Sequence, residues 1–344
     1  MSYTVASISN GRGLAAVDAL LQRAGLHRDP LADYVCGVYD EDFQLCATGS
    51  CCQNTLRCLA VDEAYRGEQL MSLVVGHLCE VQAQRGNTHL FLYTKPQSAA
   101  VFHDLGFYEI ARTADVVFME NRRNGLDNWL GQLPCANAPK EQTGCVVMNA
   151  NPFTLGHRYL LEQACAQAEA VHVFVLSEAY GPISPAVRKR LVQLGTADLP
   201  RIILHDSGPY IISSATFPSY FLRQDQQVSW VHAQLDIAVF AKIAKRLNIG
   251  VRFAGQEPFS QVTALYNGVM AEALPQSGVA FCEVPRLALD DQIVSASSVR
   301  QALHDGRMEA AHAMLPETTW QYLNSPEGQS TLNAIRQTDE LIHH

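Results

Sequence analysis

Two short runs in this 344-residue chain hold side chains suited to gripping an anion. The first is Thr154-Leu155-Gly156-His157. It follows the apolar stretch 145–148 through a loop that contains Asn149, Asn151, Pro152 and Phe153. Apolar residues at 160, 161, 164, 165 and 168 then recur at helical spacing, so the run marks a strand, a loop and a helix start. A helix start offers backbone amides and the positive end of the dipole to an anion. Gly156 permits close backbone approach there, and His157 can donate to a phosphate oxygen. The same residues also describe an ordinary helix capped by Thr154, and the run alone does not decide between the two. The second run is Ser295-Ala296-Ser297-Ser298-Val299-Arg300. Here Ser297 is the expected cap, and Arg300 lies in the first turn, again an anion cradle. No G-x-x-x-x-G-K-[ST] loop occurs, so a nucleotide would not be held by a P-loop.

The elements that must carry these runs alternate between strand and helix. Residues 145–148, 171–177, 201–205, 250–254 and 280–284 read as strands separated by helical stretches, which predicts a doubly wound parallel sheet. The first 120 residues read differently. Strands are expected at 3–8, 34–39, 43–52, 55–61, 89–94, 108–112 and 116–119, with a hairpin turn at Asp40-Glu41-Asp42. Helices are expected at 14–26, 69–84 and 97–105. This is a strand-heavy α+β unit. Residues 122–142 carry little pattern and read as a linker with a short helix around Trp129. The expected domains are therefore 1–121, a linker 122–142, and 143–344.

Composition bounds the function. The length suggests about two domains, and 48% hydrophobic residues supply two cores. A net charge of −9 argues against a general nucleic-acid binder, which needs clustered basic charge. No apolar run approaches the roughly 20 residues of a membrane helix, and the N-terminus lacks a secretory pattern, so a cytoplasmic protein is expected. The ten cysteines show no C-x-x-C pair and no zinc spacing, and read as small reduced core residues. Gly11-Arg12-Gly13-Leu14-Ala15-Ala16 fits a dinucleotide fingerprint. However, the strands after it read as an antiparallel hairpin, which disfavours that assignment.

Taken together, order and separation included, the two runs resemble the nucleotidylyltransferase superfamily. That superfamily has a (H/T)-x-G-H motif early and an I-S-S-T-x-x-R motif late. Within it, residues 149–160 are similar to the acetate:citrate lyase ligase family, as are Gly195-Thr196-Ala197-Asp198-Leu199-Pro200, the run from Tyr210 to Pro218, and Gly255-Gln256-Glu257-Pro258-Phe259. One departure is Pro182-Ile183, where the family usually has Arg-Phe. The resemblance implies a ligase that uses ATP, with Mg²⁺ or another divalent cation, and acetate. It would acetylate the thiol of a CoA-derived prosthetic group on the acyl-carrier subunit of citrate lyase, through an acetyl-adenylate, releasing AMP and pyrophosphate. It implies His157, Thr154 and Arg300 as catalytic donors. Asn149, Asn151, Phe153, Gly156, Ser297 and Ser298 would bind the nucleotide, with Arg188 and Gly255 added from their places in the matched segments. No metal ligand announces itself. Two alternatives stay open: the same chemistry on another carrier, such as that of malonate decarboxylase, and an adenylyltransferase acting on a small phosphate ester.

The N-terminal part resembles the GNAT acetyltransferase fold. Residues 64–69 occupy the place of its (Q/R)-x-x-G-x-(G/A) loop, where only Gly67 fits and Gln69 replaces a small residue. Phe102 to Phe107 match a Y-x-x-x-G-F motif with Phe for Tyr, so the phenol that would serve as general acid is absent. A site for the CoA-like arm of the partner, an active acetyltransferase and a purely structural domain are the readings this leaves.

Overall fold

A computed structural model describes residues 2–177, 181–211, 217, 220, 225–257, 261–290 and 292–337. The chain forms two compact units. Met1–Asn128 group with Phe217–Ala238, and Trp129–Thr216 group with Val239–His344.

The first unit is built on a seven-stranded sheet ordered β1-β2-β3-β4-β5-β7-β6. The strands are β1 (Thr4–Ser7), β2 (Tyr34–Tyr39), β3 (Leu45–Cys52), β4 (Thr55–Val61), β5 (Phe91–Thr94), β6 (Tyr108–Arg112) and β7 (Val117–Glu120). Asp40 closes the expected hairpin turn between β2 and β3. Its Oδ1 accepts from the amides of Gln44 at 2.8 Å and Asp42 at 3.0 Å, an Asx-type turn. Every pairing is antiparallel except β4 with β5. These two meet only at Thr55–Phe91 and Leu56–Leu92, and beyond that they diverge. Helices α1 (Gly11–Arg23), α2 (Leu70–Gln84) and α3 (Ala99–Asp104) complete the unit. Val74 and Leu78 of α2 join Leu56, Leu92 and Phe107 in its core. The run Gly11-Arg12-Gly13 is simply the first turn of α1, capped by Asn10, whose Oδ1 accepts from the Gly13 amide at 2.7 Å. A Cβ on Gly13 would lie 2.7 Å from Ile8 Cγ2, so packing accounts for that glycine.

The second unit centres on five parallel strands: β8 (Thr143–Met148), β9 (Ala170–Val175), β10 (Ile202–Asp206), β11 (Val251–Gly255) and β12 (Ala280–Val284). Their order is β10-β9-β8-β11-β12, the doubly wound sheet expected from the strand–helix alternation. The order of strand addition reverses between β8 and β11. Ligands of such sheets bind in the crevice at the carboxyl ends of the strands flanking that reversal. The loops after β8 and β11 are those ends. β9 is buried at every residue, as a strand covered on both faces should be. Its polar member, His172, lies 2.8 Å from the imidazole of His205 on β10. Helix α4 (Gly125–Gln132), which includes Trp129, starts in residues of the first group, and the helices after it are α5 (Leu155–Gln167), α6 (Pro185–Gly195), α7 (Asp225–Leu247), α8 (Gln261–Ala273), α9 (Ala296–His304), α10 (Met308–Ala313), α11 (Glu317–Asn324) and α12 (Gln329–Gln337). Helix α7 continues from residues of the first group into residues of the second. Phe153, Leu161, Val173, Leu191, Phe253 and Val299 belong to one core.

Candidate active site

β8 ends at Met148, and six residues later α5 begins with Thr154 as its N-cap. The Thr154 hydroxyl accepts from the His157 amide at 3.3 Å. In return the Thr154 amide donates to His157 Nδ1 at 3.1 Å, which makes a capping box with an imidazole in the usual glutamate position. The cap and the residues expected to cradle an anion are therefore one structure. The box also fixes the tautomer. Because Nδ1 accepts, the proton of the neutral ring sits on Nε2, a donor with no partner among the described residues. Burial, with the positive charges of Arg286 and Arg300, lowers the His157 pKa to about 4. The ring is thus neutral near pH 7, and it is steadied by Phe153, whose ring stacks against it at 5.9 Å and 19°.

Three of the first four amides of α5 are used: Leu155 on Met314 O, His157 on Thr154 Oγ1 and Arg158 on Thr154 O. The Gly156 amide has no partner among the described residues. A Cβ on Gly156 would lie 2.6 Å from the carbonyl oxygen of Val294, so only glycine lets the second run approach this closely.

That second run caps α9, but with Ser295 rather than Ser297. Ser295 Oγ accepts from the Ser298 amide at 3.0 Å and meets Ser298 Oγ at 2.8 Å. The extended backbone of Ser295 moves the helix start two residues earlier than expected and puts Ser297 inside the first turn. Ser297 Oγ accepts from Arg300 Nη2 at 3.2 Å, and Arg300 Nη1 donates to Asn151 O at 2.6 Å. Arg300 therefore joins the two motifs. Its largely buried setting pushes its pKa down.

Other expected residues have different surroundings. Arg188 on α6 is fully buried, and its Nη1 donates to both the carbonyl and the side-chain oxygen of Asn149. It braces the loop from beneath. Phe153 is also fully buried, as the wall behind His157. Asn151 presents its carbonyl to Arg300. Ser298 spends its hydroxyl on Ser295 and on Ile293 O at 3.3 Å. Gly255 ends β11 beside the Arg286 guanidinium, 3.5 Å from where its Cβ would be. At the departure from the family pattern, Ile183 is buried and Pro182 O accepts from Thr331 Oγ1 at 3.4 Å, so an internal contact stands where a basic residue was expected.

A family model matches the same half of the chain. Residues 143–323 match the citrate lyase ligase C-terminal domain. The chain is 34% identical over 330 residues to the [citrate [pro-3S]-lyase] ligase of Escherichia coli strain K12, covering 94% of each. It is 37% identical over 286 residues to that of Klebsiella pneumoniae, covering 81% of this chain and 84% of the relative. The chain belongs to the citrate lyase ligase family. Among solved structures, a ribosomal-protein-S18-alanine N-acetyltransferase from Escherichia coli aligns with 35% of this chain and 92% of its own, at 19% identity and a TM-score of 0.28.

The segments similar to this ligase family now have positions. Asp198, in the run 195–200, takes two hydrogen bonds from Arg158, at 2.9 and 2.6 Å, and so anchors the first turns of α5. Residues 212–216, 218 and 258–259 of the other two runs lie outside the described residues. Arg286 escaped sequence reasoning. It donates to Gln256 O and, at 2.6 Å, to Glu257, and its charge acts on His157. The signal available was its place two residues after β12, at the carboxyl end of a parallel strand.

In the first unit the divergence of β4 and β5 leaves a cavity of about 280 Å³. Leu59, Ala60, Thr94 and Val101 line it, with Arg66 and Lys95 as its cations. Beside it α2 begins at Leu70 behind Gln69, which has φ +57 and caps no amide with its side chain. Phe102 lines the same cavity. Among the described residues no group of three or more His, Cys, Asp or Glu could hold a metal, and no helix is long and apolar enough to cross a membrane.

Proposed function

We propose that this chain acetylates the thiol of the CoA-derived prosthetic group on the acyl-carrier subunit of citrate lyase, using ATP and acetate. The observation that carries the reading is the junction of the two motifs: the α5 and α9 helix starts meet at the sheet's reversal point and are tied by Arg300. Family membership supports the substrate assignment. Acetate is already an anion at pH 7, so its attack on the α-phosphorus needs no base. It needs in-line positioning and stabilisation of charge leaving on pyrophosphate. The Nε2–H of His157, the Gly156 amide, Ser297 and Arg300 are donors of that kind, and Thr154 holds His157 in its donor tautomer. The neutral imidazole still offers its Nε2–H as a hydrogen-bond donor to that charge. The thiolate then attacks the acetyl carbon, and AMP leaves with the oxygen that acetate supplied. A divalent cation would arrive on the nucleotide's phosphates, since Mg²⁺ keeps most of its waters and uses few protein ligands.

The reading divides the work between two regions. The parallel-sheet unit carries adenylation, and the unit of residues 1–128 with 217–238 carries recognition of the CoA-like arm. The β4–β5 cavity is near the lower limit of small-molecule pockets and suits a narrow chain better than a whole nucleotide. Arg66 and Lys95 suit the arm's phosphates. The free thiols fit the reducing cytoplasm. An ATP–pyrophosphate exchange assay with the full chain and no carrier tests the reading: exchange should require acetate. Exchange without acetate, or AMP retained in a covalent product, would favour an adenylyltransferase instead. Pyrophosphate release with each purified carrier separates citrate lyase from other partners.

A further inference from the structure

Where β4 and β5 part, backbone groups lose their ladder partners. The last paired residues are Leu56 and Leu92, and just beyond them the Cys58 amide and the Tyr93 carbonyl face a gap. Cys58 has φ +53 and sits in an irregularity of the β3–β4 ladder, which turns its amide away from β3. Buried backbone groups of this kind need a partner. One hydroxyl supplies both. Tyr220 donates to Tyr93 O at 3.4 Å and accepts from the backbone N–H of Cys58. Its own carbonyl accepts from the His27 amide at 3.0 Å, and Phe217 lies edge-on to Tyr93 at 5.7 Å. Tyr220 is 4% exposed, and its phenol pKa is driven up by that burial. It also lines the cavity, whose cations Arg66 and Lys95 follow the outer ends of β4 and β5.

The geometry points to Tyr220 as a specificity-determining residue: it closes the inner end of the β4–β5 slot, so the slot admits an arm ending in a free thiol and excludes the same arm once acylated. This rests on the reading of the slot as the arm's site. Phosphates held at the cationic end would send the sulfur toward the Tyr220 ring, which stands where an added acetyl group would have to go. A ligase gains from this, because its substrate is the thiol and its product the thioester, and a site that rejects the product releases it.

The test is calorimetric titration of the full chain with CoA and with acetyl-CoA as probes. Wild type should bind CoA about tenfold or more tightly than acetyl-CoA, the size of effect that one misfitting small group produces. Tyr220→Ala should bring the two affinities to within about threefold by opening the inner end, on the same scale. Tyr220→Phe keeps the ring and should keep the discrimination. Equal binding of both probes by wild type overturns the proposal, as does discrimination that survives in a Tyr220→Ala protein still binding CoA. Binding of neither probe by wild type would overturn the arm reading itself, and the proposal with it. Where Tyr220→Ala does not fold, Tyr220→Leu, with a shorter side chain, takes its place in the same titration and should narrow the ratio in the same direction.

Discussion

Both candidate sites exploit a place where two neighbouring strands stop satisfying each other, but they fill it in opposite ways. In the parallel sheet, the gap lies beyond the carboxyl ends of β8 and β11, and side chains within two short motifs crowd into it: Thr154, His157, Ser297 and Arg300. In the first unit, the gap opens within the sheet between β4 and β5. Few side chains announce it, and a tyrosine more than 120 positions further along the chain closes it. A site assembled from local motifs shows in the sequence. A site assembled by strand divergence and a distant plug does not.

The sharpest ways to break this contrast disable one region at a time. Asp29→Asn should have the largest effect. It leaves the buried Arg57 without the carboxylate 2.5 Å away, and breaking such a pair costs about 3–5 kcal/mol. Chemical denaturation should show the loss, and at low temperature, while the protein stays folded, acetate-dependent exchange should persist because the cradle is untouched. His157→Ala should lower exchange by roughly 10²–10³ through loss of one transition-state donor. CoA binding should be unchanged, and a variant with normal turnover would remove His157 from the chemistry.

Acid offers a third probe. In the second unit His157, His172 and His205 all have pKa values lowered to about 4, in each case mainly by burial. These groups are depressed in the folded state. Their contribution is complete above the unfolded value near 6.5, fades as pH falls, and is gone below about 4. Denaturation midpoints should therefore decline between pH 6.5 and 4 with net proton uptake on unfolding. Replacing His172 and His205 with a neutral, well-packed pair should flatten that decline. Gly156→Ala should have the smallest effect. A methyl group 2.6 Å from Val294 O forces the motifs apart, at a cost of about 1–3 kcal/mol in stability with some loss of exchange. An unaltered variant would show that the contact does not position the site.

The parallel sheet and its motifs were legible because apolar strands, a Thr–Gly–His helix start and a Ser–Arg helix start are short-range patterns. Even so, Ser295 took the cap expected of Ser297, since either serine can cap and only tertiary packing against Gly156 selects the register. Phe153 and Arg188, expected to bind nucleotide, point inward as wall and brace, because sequence position does not say which way a loop side chain turns. Arg286 and Tyr220 carried no motif. Their surroundings come from elements distant in sequence. The packing of Phe217–Ala238 with Met1–Asn128 likewise has no local signature, and it is the reason these tests use the full chain.

The central claim is that acetate attacks the α-phosphorus of ATP in the cradle formed by α5 and α9. Full-length protein turned over with carrier, ATP and acetate labelled with ¹⁸O in both carboxylate oxygens tests it most directly. Mass spectrometry of the products should find one labelled oxygen in the phosphate of each AMP and none in pyrophosphate. AMP without label would contradict the account.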